Sequence, residues 1–259
     1  MANPAGNITI FVKSKTKRSD YQKVAKALLG QTDYRAEQVA FILEDGRIEM
    51  SGMEFCGNAT RSYGLILSAD NKGHALANNS YMNMVSISGT KEPLKTISNP
   101  STGFSKVEMP LPISIKNYTL EDSTLVDFEG IVHLVLNTNK YPLSSFDKIK
   151  DEFYKSNNPP AFGIMYYDKT KSFMTPIVYV RDVNTTFHEG SCGSGTVALT
   201  ASLTKEFVSG EYRFEIKQPD GIIASSVTKN NNKISTITIE GIVEIIDKNI
   251  VDINLEEDL

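Results

Sequence analysis

The chain contains two cysteines, and both open the same short motif: Cys56-Gly57-Asn58-Ala59-Thr60 and Cys192-Gly193-Ser194-Gly195-Thr196. Each motif leads into a segment with helical apolar spacing, Arg61–Ala69 and Val197–Lys205. A thiol at a helix start meets unpaired backbone N–H groups and the positive end of the macrodipole, and both favour the thiolate. The glycine after each cysteine lets the backbone approach a ligand closely, and Asn58 or Ser194 adds a short polar side chain. Two such helix starts aimed at one point form a carboxylate site, because each offers several N–H donors. A substrate anchored there would have a thiolate on one face of its carbon and a thiol on the other. That arrangement performs 1,1-proton transfer: one sulfur removes a proton and the other delivers one from the opposite side. Configuration inverts through a planar, enolate-like transition state. Cys56 and Cys192 are the expected acid/base pair, with Gly57, Asn58, Gly193, Ser194 and Gly195 as the expected carboxylate cradle.

The elements that must position these residues recur in two halves. In the first, Ile8–Val12 reads as a buried strand and Tyr21–Leu29 as a helix stopped by Gly30. Gln38–Leu43 and Arg47–Met50 flank a hairpin turn at Glu44-Asp45-Gly46. Met84–Ser88 and Lys106–Met109 read as further strands, and Pro110-Leu111-Pro112 punctuates the chain like a domain joint. In the second half Ile131–Leu136, Phe162–Tyr167 and Pro176–Arg181 read as strands, and Ser145–Ser156 as a helix. Tyr212–Lys217, Ile222–Thr228 and Ile234–Ile246 close the chain with β-rich sequence. The expected architecture is α/β, in two domains related by a pseudo-twofold axis, each a curved, mostly antiparallel sheet around a central helix. The N-terminal domain is expected over 1–112 with a returning segment 246–259, and the C-terminal domain over 113–245.

Composition narrows the function classes. Lys and Arg number 27 against 31 Asp and Glu, a net charge of −4 with no basic stripe, so nucleic acid is not an expected partner. A hydrophobic content of 40% suffices for a packed core, and no segment reaches the ~18 apolar residues of a membrane span. The opening MANPAGNITIFVKSK lacks a basic-then-apolar leader, so the expected location is cytoplasmic. Two cysteines do not make a disulfide scaffold, and without a CxxC pair the three histidines leave little for a metal site. There is neither a P-loop nor a G-x-G-x-x-G fingerprint. No metal, pyridoxal phosphate or nucleotide is expected. A buried structural thiol is the commoner fate of a single cysteine. A symmetric pair, each leading a helix, departs from that pattern.

Met50–Gly64 (MSGMEFCGNATRSYG) and Glu189–Thr196 (EGSCGSGT) resemble the two signatures of the diaminopimelate epimerase superfamily of cofactor-independent racemases. Asn3–Val12 resembles that family's opening strand, where the Asn of a GN pair contacts substrate, here Asn7. Ala36–Ile42 is similar to its second strand. The wording NPAGN, EQVAFI, MSG-x-EFCGNAT, E-x-SCGSGT and QPDG (Gln218–Gly221) is closer to the bacterial histidine racemases that supply D-histidine for opine-type metallophores. Diaminopimelate epimerases carry Glu-Arg where this chain has Val183 and Asn184, and Gly-Asn-Pro-His where it has Gly130-Ile131-Val132-His133. Without that Arg and Asn, a second substrate carboxylate would be buried unpaired, which is strongly unfavourable. Proline racemases differ in carrying Cys-Gly-His where this chain has Cys56-Gly57-Asn58. The resemblance implies inversion at Cα of a small amino acid, with L-histidine the expected substrate. Diaminopimelate or another amino acid is the same-class alternative, and a non-catalytic amino-acid-binding or thiol-redox protein the different-class one. Members of the family often dimerise, so a homodimer is an expected assembly, although no interface is legible.

Further residues carry weaker signals. Glu189, three before Cys192, is an expected substrate-binding residue, against the alternative of a solvated loop carboxylate. Glu54 and Glu37 are weighed in the same way, with the solvated reading favoured. His133 in an apolar strand reads as a satisfied core histidine, His188 as an exposed loop residue, and Asn254–Leu259 as a solvated end.

Overall fold

In a computed structural model, which describes residues 1–13, 15–31, 35–246, 249–250 and 253, four α-helices sit among β-strands: α1 (Tyr21–Gln31), α2 (Gly57–Ala69), α3 (Phe146–Tyr154) and α4 (Gly193–Leu203). The architecture is mixed α/β. Two compact units divide the chain, residues 1–107 with 240–259, and residues 108–239. The strand Lys233–Ile242 carries the chain back from the second unit to the first. The tail Asn254–Leu259 lies outside the described residues, as does part of the returning segment 246–259. Among the described residues no helix is long and apolar enough to cross a membrane.

The same succession of elements occurs in each unit. In the first, Thr9–Val12 runs through a 3-10 turn (Arg18–Asp20) and α1 into the parallel strand Gln38–Ile42, which then pairs antiparallel with Ile48–Met50. In the second, Ile131–Asn137 runs through a 3-10 turn (Leu143–Ser145) and α3 into the parallel strand Ala161–Asp168, which pairs antiparallel with Phe173–Val180. A helix capped by a cysteine follows in both. Two parallel strands need a crossover of about a dozen residues, and α1 and α3 fill that role.

In the first unit α2 packs in one cluster with Ala40, Ile48, Met50, Val85 and Ile87. Residues Gly57 through Leu65 are all buried, so the helix sits inside the unit rather than on it. Its polar residues therefore need internal partners: Ser68 Oγ donates to Gly64 O at 2.8 Å and accepts from Asn83 Nδ2 at 3.1 Å. In the second unit α4 packs against Thr124–Phe128, Ile131–Asn137, Ala161–Asp168 and Gly221–Asn230. It is apolar around most of its circumference, as a fully enclosed helix must be. Its end is closed by the buried Lys229 ammonium, which donates to the carbonyls of Thr204 (2.8 Å), Lys205 (3.1 Å) and Phe207 (2.6 Å). A cation there satisfies orphan carbonyls at the negative end of the helix dipole.

Several local expectations shift. Gly30 does not stop α1, which continues to Gln31; Gly30 is helical and exposed, with open space where a Cβ would stand. The helix expected over Ser145–Ser156 is shorter, Phe146–Tyr154, because Leu143–Ser145 winds as a 3-10 turn. The strand expected over Met84–Ser88 is Tyr81–Val85, set by pairing with Leu94–Asn99 and by burial of Asn83 against α2. The turn at Glu44-Asp45-Gly46 forms as expected, with Gly46 at φ +82° and Leu43 N–H bonded to Arg47 O at 2.8 Å.

Candidate active site

Each cysteine is the N-cap of its helix. Cys56 is extended (φ −134°, ψ 110°) and its Sγ accepts the Ala59 N–H at 3.4 Å. Its carbonyl accepts both the N–H (3.0 Å) and the hydroxyl (2.8 Å) of Thr60. The preceding loop is pinned by Ser88, whose Oγ donates to Glu54 O at 2.8 Å and accepts the Met50 N–H at 2.9 Å. Gly89 (φ +75°) lies so close to the Phe55 N–H that a Cβ would collide with it. Gln38 Nε2 lies 3.3 Å from the Cys56 sulfur, 2.9 Å from Asn7 Oδ1 and 2.8 Å from Thr9 Oγ1. Asn7 Oδ1 also accepts from Asn58 Nδ2 at 3.3 Å and stands 4.0 Å from the sulfur, while Asn7 Nδ2 donates to Glu37 Oε2 at 2.6 Å. An amide cluster thus surrounds the first sulfur.

Cys192 repeats the cap (φ −123°, ψ 114°), its Sγ accepting the Gly195 N–H at 3.3 Å. Thr196 closes the same double contact onto the Cys192 carbonyl, at 3.0 Å from N and 2.7 Å from Oγ1. Gln218 holds the motif from outside the helix: its Oε1 accepts the Cys192 N–H at 2.7 Å and its Nε2 donates to Thr196 Oγ1 at 3.0 Å. Ser194 Oγ is 3.5 Å from the Cys192 sulfur and 2.9 Å from His133 Nε2. His133 is fully buried and its Nδ1 has no partner among the described residues. A bare nitrogen is cheaper to bury than an unmet N–H, so the proton is assigned to Nε2, which donates to Ser194. The Ser194 hydroxyl is then free to donate to sulfur. Burial pushes the His133 pKa down to about 3, so the ring is neutral.

The second thiol departs from the sequence expectation. Burial first, and the neighbouring Glu189 carboxylate second, raise the Cys192 pKa well above its ordinary value; Ser194 and the Gly195 N–H act the other way. Helix-start donors favour the thiolate, but desolvation in an almost closed position outweighs them.

The first unit therefore brings Asn7, Cys56, Gly57 and Asn58 together, and the second brings together Glu189, Cys192, Gly193, Ser194 and Gly195. Glu37 joins through Asn7. His188 is exposed at the end of the strand Thr185–His188. Glu54 is likewise exposed as a residue; atoms packed around its carboxyl raise its pKa, opposed by its own N–H and that of Gly52. His133 is a core histidine that also touches the site through Ser194. Sequence reasoning missed Gln38 and the role of Gln218; the signal was present in AEQVAFI and QPDG, each a glutamine near a Cys-Gly motif in space but not in sequence. Among the described residues no group of three or more His, Cys, Asp or Glu is arranged to hold a metal ion.

Comparison with known proteins gives a consistent result. Residues 1–251 match the family described as histidine racemase CntK N-terminal domain. A histidine racemase from Fusobacterium nucleatum subsp. nucleatum is 32% identical over 254 residues, covering 94% of this chain and 92% of the relative. A histidine racemase from Staphylococcus aureus is 28% identical over 239 residues, covering 85% of each chain. Among solved structures, a predicted epimerase from Pseudomonas aeruginosa superposes with a TM-score of 0.60 at 9% identity, covering 92% of this chain and 90% of that one, a likeness of fold. Matched over nearly its whole length, the chain belongs to the histidine racemase family of isomerases.

Proposed function

We propose that the chain interconverts L- and D-histidine by two-base proton transfer between Cys56 and Cys192. The observation that carries the proposal is the duplicated cap: two cysteines, each starting a buried helix, each with its sulfur bonded to the N–H three residues on. The α-carboxylate binds N–H groups of the helix starts, with Asn58 as a side-chain donor and the Ser194 hydroxyl turning from the sulfur to the carboxylate. Asn7 orients Asn58, and Glu189 receives the substrate ammonium or imidazole N–H. One sulfur, as thiolate, takes the Cα proton; the other, as thiol, returns its own to the opposite face. The first sulfur ends protonated and the second ends as thiolate, so charge and protons balance with no cofactor. Buried N–H donors aimed at the carboxylate stabilise the charge that develops as the carbon flattens. The proposal includes a cytoplasmic address and a homodimer, which sedimentation velocity checks.

The test is Cα–H exchange in D2O, read by mass, with enantiomers separated by chiral chromatography. L-histidine, D-histidine, LL-diaminopimelate and L-proline are assayed side by side. Deuterium must enter Cα of histidine as configuration inverts, and both Cys56→Ser and Cys192→Ser must abolish inversion. Near-normal turnover in either variant overturns the two-base reading. Exchange confined to diaminopimelate or proline overturns the substrate.

A further inference from the structure

Arg61 sits in α2, five residues after Cys56, and its side chain is completely buried. Nε donates to Asn58 Oδ1 at 3.1 Å, while Nη1 and Nη2 have no hydrogen-bond partner among the described residues. A guanidinium stripped of water without an anion nearby is strongly unfavourable, so its position asks for a negative charge within reach. Burial lowers the Arg61 pKa to about 10, and Cys56, when ionised, acts the other way; the two residues are linked through Asn58, which bonds Arg61 and reaches Asn7 beside the Cys56 sulfur. The groups set against the Cys56 sulfur are two donors, the Gln38 amide from the strand Gln38–Ile42 and the Ala59 N–H of α2, and one acceptor, Asn7 Oδ1 from the loop before Thr9–Val12, at 4.0 Å. The Glu37 carboxylate meets this cluster through the Asn7 amide.

The second site is built differently. The residue five after Cys192 is Val197, and a carboxylate, Glu189, acts on the sulfur. The helix of the first motif therefore carries a cation where the second carries an apolar residue, and the second sulfur feels a carboxylate from the segment before its motif.

We propose that Arg61 is a positioning residue that holds Cys56 as the resting thiolate, while Cys192, with Glu189 acting on it and Val197 in the place of the arginine, rests as the thiol. The inference rests on the two-sulfur reading above. It gives the free enzyme a direction: Cys56 is poised to take the proton and Cys192 to deliver one, and the protons must redistribute before the same enantiomer is turned over again. Two charges five residues apart on a helix are about 8 Å apart along its axis. At an effective dielectric of ~20 that spacing shifts a thiol equilibrium by about tenfold to thirtyfold.

The experiment uses the intact protein without substrate. Thiolate absorbance at 240 nm is titrated for the wild type, Cys56→Ala and Cys192→Ala, and iodoacetamide labelling of each cysteine is followed by peptide mass spectrometry. The neutral-pH thiolate signal is expected to vanish in Cys56→Ala and persist in Cys192→Ala. In folded Arg61→Met the Cys56 labelling profile is expected to move up by about one pH unit or more, with Arg61→Lys restoring it and the Cys192 profile unmoved. A neutral-pH signal that survives Cys56→Ala overturns the proposal, as does an unmoved Cys56 profile in folded Arg61→Met. Should Arg61→Met not fold, the two alanine variants decide alone. Because no turnover is measured, failure here is distinct from failure of the racemase reading, which the Cα exchange assay addresses.

Discussion

Gly163 faces His133 in the parallel pairing of Ala161–Asp168 with Ile131–Asn137, and a Cβ added there would stand 2.5 Å from His133 Nδ1 and 2.9 Å from its Cε1. Ordinary contact begins at 3.4 Å, so Gly163→Ala must push the ring by about 0.9 Å. The ring cannot yield toward solvent, because His133 is fully buried. A displacement of that size distorts the 2.9 Å bond from Nε2 to Ser194. Overpacking costs about 1–3 kcal/mol and the distorted hydrogen bond up to about 1 kcal/mol more. For a chain of this size 2 kcal/mol lowers Tm by roughly 4–8 °C. Thermal unfolding by circular dichroism reads the stability loss, and Cα exchange reads the distorted His133–Ser194 bond as a fall in turnover. Gly30→Ala is the control: it is helical with open space at the Cβ position, and the same substitution there stabilises by about 0.5–1 kcal/mol. In the double variant Gly163→Ala/His133→Ala the two costs should sum to less than their separate values, since the clash has no target. A Gly163→Ala protein with unchanged Tm and turnover would refute the wedged ring and the His133–Ser194 coupling built on it.

Two further outcomes follow from the charges. Glu189→Gln removes the anion that helps raise the Cys192 pKa, so that pKa falls and the pH profile of iodoacetamide labelling at Cys192 moves down; a profile that stays in place removes Glu189 from the sulfur. His133 ionises near 6.5 when unfolded but at about 3 when folded. Between those values the unfolded chain binds a proton that the native one does not, so this contribution is complete above 6.5 and declines as pH falls toward 3. The decline is about 1.4 kcal/mol per pH unit, and urea titrations of wild type against His133→Gln measure it as a difference in slope.

Much of the site was legible because helix capping is local. A cysteine, the N–H three residues on and the threonine four residues on lie within one turn, so CGNAT and CGSGT encode their own geometry wherever the chain places them. The hairpin at Glu44-Asp45-Gly46 was readable for the same reason, since Gly46 meets a positive φ set by its immediate neighbours. Near-continuous apolar runs likewise marked Gln38–Ile42 and Ile131–Asn137, strands buried along most of their length.

What the sequence by itself determined is the chemistry on offer: two thiols at two helix starts, with glycines that leave the backbone open. The tertiary structure decided how those thiols differ. Gln38 reaches Cys56 across 18 residues, Gln218 reaches Cys192 across 26, and His133 reaches Ser194 across 61. Whether a thiol ionises depends on the water it loses and the charge it gains, and both come from remote segments packed around it. Arg61 and Val197 occupy matching places in two similar motifs, but only folding encloses them both, one charged and one apolar, and takes the water from around them.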